Sequence, residues 1–221
     1  MYLTNTRPDI CFALNTLSQY LVQPRCVHLV ATKHVMRYMK VTIDFGLYYD
    51  RNHDYRLYGY IDAYWDRTVS NRKLTSGGCY CLGSAMISWF SRKQSSVALS
   101  TVEAKYIAAC SASCEAIWLR KLMSGLFNLE LDTTVILCNN QSCIKMTENP
   151  VFHDKSKHIE IQYFYIRDMI QKGAIKLQYV SIDEQVTDVL TKALSRVKFE
   201  YFRDKLGVVR KDLPQKGGAM M

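Results

Sequence analysis

Three acidic residues of the chain occupy positions where a carboxylate is unusual. Asp62 closes the strand-like run 57–61, where a strand would leave its sheet, and Asp188 opens a helix directly after the last predicted strand. Glu103 lies four residues before Ile107, so it shares the apolar face of a long predicted helix. In α/β folds, ligand sites collect at the ends of strands and the starts of helices. The three side chains are therefore candidates for a ligand site built from carboxylates.

Each of these positions also has a purely structural explanation. Asp62 would begin a turn, and Asp188 would place a favourable negative charge at a helix N-terminus. Residues 100–103 form a good capping box, in which Ser100 caps the helix and Glu103 reaches back to it. Spacing alone does not bring the three carboxylates together, so both interpretations stay open at this point.

The first 42 residues predict a helical hairpin. Pro8 suits a first helical position, and the apolar residues that follow it recur at steps of three and four until Pro24 ends the element. A second apolar stripe runs through Ala31, Val35 and Tyr38, with basic residues on the opposite side.

After residue 42 the pattern predicts short strands and then strands that alternate with helices. Gly83-Ser84 is typical of a tight hairpin turn. The predicted strands are Phe45–Tyr49, Arg56–Ile61, Gly77–Leu82, Ala85–Phe90, Thr134–Cys138 and Ile175–Val180. The predicted helices are Thr101–Gly125, Ser142–Glu148, His158–Lys172 and one that begins near Thr187. The first of them has an apolar stripe formed by Ile107, Cys110, Cys114, Ile117 and Trp118. This order implies an α/β fold, a mixed sheet covered by helices.

Composition narrows the class of protein. The 29 Lys and Arg residues against 20 Asp and Glu give a net charge of +9, which favours a polyanionic partner such as nucleic acid. No apolar run approaches the ~20 residues that span a bilayer. Polar residues interrupt the N-terminus and exclude a signal segment, so we expect an intracellular protein, cytoplasmic or nuclear, without a membrane partner. The eight cysteines do not have zinc-finger spacing, and we expect most of them to be small buried thiols.

Several segments are similar to motifs of the copia-type retrotransposon Pol polyproteins, in that family's order and at its spacing. Tyr2–Ile10 resembles the segment that follows the polymerase core. The other similar segments are Arg72–Gly77 (DRKSTSG in the family), Ile87–Trp89 (ISW), Lys93-Gln94 (KQ), Val97–Tyr106 (VALSS.EAEY), Asn140–Ser142 (DNQS), Lys157–Ile159 (KHI) and Asp188–Lys192 (DIFTK). The resemblance covers about residues 2–207, nearly the whole chain.

The resemblance implies an RNase H-like fold, a five-stranded mixed sheet flanked by helices. It divides the chain into a helical remnant after the reverse transcriptase core (1–42), an RNase H-like domain (43–195) and a basic C-terminal tail (196–221). The implied partners are an RNA–DNA hybrid and the polymerase part of the same polyprotein. The implied reaction is hydrolysis of the RNA strand by two Mg²⁺ ions, which four acidic residues hold about 3.5–4 Å apart.

Carried over position by position, Asp62, Glu103 and Asp188 become the first, second and fourth metal-binding carboxylates. The third catalytic position is Asn139, where the family has an aspartate. An amide oxygen is neutral and is a weaker Mg²⁺ ligand than a carboxylate. Losing that charge should lower metal affinity or activity by at least ~10–100-fold. Family acids are also replaced at Tyr64, Asn71 and Lys105, so we expect slight or absent cleavage.

Two further hypotheses remain compatible with the sequence. One is that the chain is a non-catalytic nucleic-acid-binding domain. The other is that it is a product with no selected function. Hybrid affinity separates these two hypotheses, and cleavage separates an active enzyme from both. His158 is either a phosphate contact or a structural histidine. The residues predicted to line a nucleic-acid-binding groove are Arg72, Lys73, Arg92, Lys93, Lys155, Lys157 and His158.

Overall fold

The computed structural model describes residues 2–50, 55–64, 74–94, 98, 100–148 and 157–210, and for 157–163 it describes the backbone alone. The helices are α1 (Cys11–Ser18), α2 (Cys26–Val41), α3 (Thr101–Phe127), α4 (Gln141–Glu148), α5 (Lys157–Gln171), α6 (Asp188–Thr191) and α7 (Arg196–Lys205). The strands are β1 (Phe45–Leu47), β2 (Leu57–Tyr64), β3 (Thr75–Leu82), β4 (Ala85–Lys93), β5 (Thr134–Cys138), β6 (Ile175–Tyr179) and β7 (Val208–Arg210). Within these ranges, every helix is too short or too polar to cross a membrane.

Five strands form one mixed sheet in the spatial order β4-β3-β2-β5-β6, which confirms the predicted architecture. β3 pairs antiparallel with β2 and β4, whereas β5 runs parallel to β2 and β6. Gly83 in the β3–β4 turn has a φ of 67°, a backbone region that glycine adopts without steric cost. Parallel neighbours need long crossovers, and α3 before β5 and α4 with α5 before β6 provide them.

Helix α3 covers one face of the sheet, but its buried side differs from the predicted stripe. Ile107 and Cys110 are buried as predicted, whereas Cys114 and Trp118 are exposed, so that part of the prediction was wrong. The prediction gave most weight to large apolar side chains. The helix instead packs mainly through small residues, which allow a close approach to the sheet. These are Ala104, Ala108, Ala109, Ala112 and Ala116.

The opposite face of the sheet is covered by segments from both ends of the chain. Phe202, Leu206 and Val208 are buried there together with Cys11 and Cys79. β1 pairs antiparallel with β7 in a separate two-stranded sheet, so the strand predicted from residue 45 lies outside the five-stranded one. The division of the chain at residues 42 and 195 stays a prediction. Cys11 of α1 and residues of the segment 196–210 contribute to one core beneath the sheet.

A buried ion pair ties the N-terminal helices together. Arg7 donates two hydrogen bonds to the carboxylate of Asp9, at 2.9 and 2.7 Å, and two to the carbonyl and hydroxyl of Thr42, at 3.0 and 2.8 Å. The Tyr38 hydroxyl of α2 donates to Asp9 Oδ2 at 2.6 Å. Burial, aided by this carboxylate, raises the pKa of Tyr38 to about 12. The Tyr38 ring meets Phe199 of α7 edge to face, with 5.5 Å between centroids.

Candidate active site

Asp62 and Asn139 follow two residues that are opposite each other in parallel strands. In the parallel pair of β2 and β5, Ile61 is opposite Cys138, so the next residue of each chain segment, Asp62 and Asn139, lies at the same end of that pair. β2 itself continues to Tyr64, with Asp62 opposite Gly77 of β3, so the prediction that this strand ends at Ile61 was wrong. Asp62 is only 3% exposed. The sheet therefore brings the first and third predicted catalytic positions together, as the sequence required.

Glu103 lies in the first turn of α3 and is buried. The Ser100 hydroxyl accepts a hydrogen bond from the Glu103 backbone N–H at 3.1 Å, which confirms Ser100 as the N-cap. Buried Gln94 connects this turn to the sheet, because its side-chain amide donates to the Ala104 carbonyl at 2.9 Å and to the Ser76 hydroxyl at 2.8 Å. Gln94 was predicted only as part of a motif, and its structural role is to position the start of α3.

Asp188 is brought to the site by a buried polar link between β2 and the segment before α6. The Gln185 side-chain amide donates to the Ile61 carbonyl at 3.0 Å, and the Thr187 hydroxyl donates to Gln185 Oε1 at 3.0 Å. Gly77 of β3, which is opposite Asp62 in the register, allows α6 to approach the sheet closely. A Cβ at Gly77 would lie 2.6 Å from Cγ2 of Thr191.

The carboxyl group of Asp188 is buried beside that of Asp62. Burial raises the pKa of Asp188, the ammonium of Lys192 opposes that effect, and the neighbouring Asp62 adds to it. Oδ2 of Asp188 lies 2.8 Å from Nζ of Lys192. Oδ1 is buried and has no hydrogen-bond donor within the described part of the chain. Asp62 and Asp188 thus form a buried pair of like charges, as two ligands of one site would.

Lys105 supplies the second positive charge of the site. Its Nζ lies 3.1 Å from Oδ1 of Asp62 and also donates a hydrogen bond to Oδ1 of Asn139. The side chain is 16% exposed, and that of Asp62 is 4% exposed. In the sequence, Lys105 stands out only as a lost family acid, and its position does not predict this contact. The sign of this contact in the sequence is a basic residue two positions after the candidate ligand Glu103.

This arrangement does not fit the two-ion magnesium site that the resemblance implies. The Lys105 ammonium already links the oxygens of Asp62 and Asn139, the positions that would have to share an ion. Across the described residues, no three or more His, Cys, Asp or Glu side chains are grouped so that they could hold a metal ion. The carboxylates of Asp62 and Asp188 are balanced by the ammonium groups of Lys105 and Lys192, so these four side chains carry no net negative charge with which to hold divalent ions.

The predicted nucleic-acid-binding residues are only partly placed by the structure. Arg92 and Lys93 are consecutive in β4, so their side chains point to opposite faces of the sheet. The Arg92 guanidinium lies 4.5 Å from the centroid of the Phe90 ring. Lys157 and His158 begin α5, described by its backbone. Arg72, Lys73 and Lys155 lie outside the described residues, and all of these roles stay predictions.

Comparison with known proteins identifies the relatives of the chain. No protein-family model matches it. It is 38% identical over 219 residues to the retrovirus-related Pol polyprotein from transposon RE2 of Arabidopsis thaliana, which is 99% of this chain and 15% of that polyprotein. It is 36% identical over 203 residues to the corresponding polyprotein from transposon TNT 1-94 of Nicotiana tabacum, 92% of this chain and 15% of that one. The chain therefore spans about one seventh of the length of the relatives it matches.

Two solved structures are similar to the chain. A foamy viral protease–reverse transcriptase in complex with double-stranded DNA superposes with a TM-score of 0.51 and 12% identity, over 81% of this chain and 30% of that one. The N-terminal RNase H domain of a Mycobacterium tuberculosis protein covers 68% of this chain and 98% of its own, with a TM-score of 0.46 and 9% identity. The chain belongs to the retrovirus-related Pol polyproteins of copia-type transposons, and its five-stranded mixed sheet flanked by helices is an RNase H-like fold.

Proposed function

We propose that this chain is an RNase H domain that binds RNA–DNA hybrids and cleaves their RNA strand slightly or not at all. The single observation that carries the proposal is the Lys105 ammonium between Asp62 and Asn139. A site that holds divalent ions needs free carboxylate oxygens, and here the first carboxylate is engaged by a cation of the chain itself. The family's hybrid-cleaving chemistry is therefore impaired by two replacements, Asn139 and Lys105.

Charge supports the binding half of the proposal. The buried carboxylates of Asp62 and Asp188 repel a phosphate backbone unless cations accompany them. Lys105 and Lys192 offset two of those charges from within the chain. The net charge of +9 over the whole sequence adds a general attraction for polyanions. Hybrid binding is accordingly expected without added metal, and its affinity should fall steeply as salt rises.

A cleavage assay on an RNA–DNA hybrid in Mg²⁺ and in Mn²⁺ tests the proposal. The native chain and Asn139→Asp are expected to leave the hybrid intact, because Lys105 stays in place in both. The double variant Asn139→Asp/Lys105→Glu restores acids at both positions and is expected to cut. Adding Asp62→Asn to the double variant should abolish that cleavage, which controls for a contaminating nuclease.

Two outcomes of this assay count against the proposal. Cleavage by the native chain that Asp62→Asn abolishes would make it a working RNase H. A folded double variant that binds the hybrid and leaves it intact would show that Asn139 and Lys105 do not account for the impaired chemistry.

A further inference from the structure

We propose that the Lys105 ammonium is a built-in cation of the carboxylate cluster formed by Asp62 and Asp188, holding Asp62 and Asn139 together where a divalent ion would lie in the family's site. The cluster then folds and persists without metal, and it excludes metal for as long as Lys105 is present. The inference rests on contacts within the chain and does not require that the domain binds nucleic acid.

The geometry of the ammonium excludes simultaneous metal binding. Magnesium binds oxygen ligands at about 2.0–2.1 Å, whereas Nζ of Lys105 lies 3.1 Å from Oδ1 of Asp62. An ion placed between Asp62 and Asn139 would therefore have to displace the ammonium. The Lys105 side chain is only 16% exposed. A displaced ammonium would lose its hydrogen bond to Asn139 and its ion pair with Asp62, and a desolvated charge needs such partners.

The chemistry of residue 139 suits an ammonium partner. A lysine has three N–H donors and no acceptor, so around its head group it requires oxygens. The amide oxygen of Asn139 is one such acceptor, and the carboxylate of Asp62 supplies the opposite charge. An aspartate at position 139 would bind the ammonium more tightly still. Restoring that acid alone therefore strengthens the link to Lys105 and does not open the site to a metal.

The two replacements also compensate each other in charge. Relative to an acid at both positions, Asn139 and Lys105 make the cluster more positive by three charges. Two magnesium ions would bring four positive charges, so the chain itself supplies most of what the ions would. The carboxylates of Asp62 and Asp188 need this positive charge, because they are buried side by side.

Metal binding and thermal unfolding, measured without nucleic acid, test the inference. The native chain is expected to show the same Tm in EDTA, Mg²⁺ and Mn²⁺, and to leave added Mn²⁺ free in solution, as followed by electron paramagnetic resonance. Asn139→Asp should behave in the same way. Asn139→Asp/Lys105→Glu should bind Mn²⁺ with a defined stoichiometry, and its Tm should rise by several degrees because the ion binds only the folded state.

A matched control separates Lys105 from the general effect of adding an acid. Lys121 lies on the exposed side of the same helix, so Asn139→Asp/Lys121→Glu has the same charge as the test variant and keeps the ammonium in the site. It is expected to bind no Mn²⁺. If the test variant does not fold without metal, circular dichroism during Mn²⁺ addition decides: folding driven by Mn²⁺ supports the inference, and a chain that stays unfolded contradicts it.

Three results would overturn the inference. One is stoichiometric Mn²⁺ binding by the native chain that Asp62→Asn abolishes. Another is a folded test variant that gains no Mn²⁺ affinity over the native chain. The third is equal Mn²⁺ binding by the test variant and its Lys121 control. Since none of these measurements involves a hybrid, a failure of hybrid binding would leave the inference standing.

Discussion

Replacing Asp9 by alanine is expected to lower the free energy of unfolding by about 3–5 kcal/mol, the range for breaking a buried ion pair. Arg7 and Asp9 are both buried, with side chains 9% and 0% exposed. Without the carboxylate, Arg7 keeps only its bonds to Thr42 and remains a buried charge without a counter-ion. The Tyr38 hydroxyl also loses its acceptor. Urea unfolding of the two chains, monitored by circular dichroism, measures the difference.

Asp168→Ala is the matched control for this prediction. Asp168 pairs with Lys172 at 2.6 Å, about the distance of the buried Arg7–Asp9 pair, but both side chains are about half exposed or more. Exposed pairs contribute about 0–1 kcal/mol, so the control variant should unfold close to the native chain. Equal small losses for both variants would contradict the account of the N-terminal helices as tied down by the Arg7–Asp9 pair.

Lys105→Met is expected to lower the free energy of unfolding by about 2–4 kcal/mol. This is somewhat less than the loss on breaking a fully buried ion pair, because water still reaches part of the Lys105 side chain. Methionine keeps most of the packing of the lysine stem, so the loss reports the charge. The variant leaves Asp62 buried beside Asp188 with no nearby ammonium of its own. Urea unfolding in EDTA measures the effect in the absence of any divalent ion.

A double-mutant cycle separates charge from shape in this second prediction. Asp62→Asn removes the carboxylate that Lys105 neutralises, so the combined variant Lys105→Met/Asp62→Asn should lose clearly less than the sum of the two single losses. Residues in direct contact typically show such couplings of about 0.5–3 kcal/mol. Strictly additive losses would mean that Lys105 does not neutralise Asp62, and the account of the site would then fail at its main contact.

Much of the fold could be predicted because its elements are encoded locally. The alternation of strands and helices, the Gly83 turn and the Ser100 cap each depend on a few neighbouring residues, and the structure confirms them. The side of α3 that faces the sheet could not be predicted in the same way. That face is decided by how closely the helix packs, and alanines such as Ala108 and Ala112 make a weak hydrophobic pattern.

The candidate site likewise has a part that could be predicted from the sequence and a part that could not. The family resemblance placed Asp62 and Asn139 in one site, and the parallel pair of β2 and β5 brings them together. The link made by Lys105 could not be predicted, since it joins a helix to residues of two strand segments that lie far from it in sequence. A long flexible side chain reaches many partners, and only the three-dimensional arrangement selects one. The charge balance of the site therefore could not be predicted before its geometry was known.

The most direct test of the central claim is the affinity of the native chain for an RNA–DNA hybrid, measured by fluorescence anisotropy in EDTA and again in Mg²⁺ at equal ionic strength. We predict the same affinity in both solutions, decreasing steeply with added salt, because Lys105 and Lys192 already provide the positive charge that the carboxylates need. Binding that requires Mg²⁺, or no binding in either solution, would contradict the account.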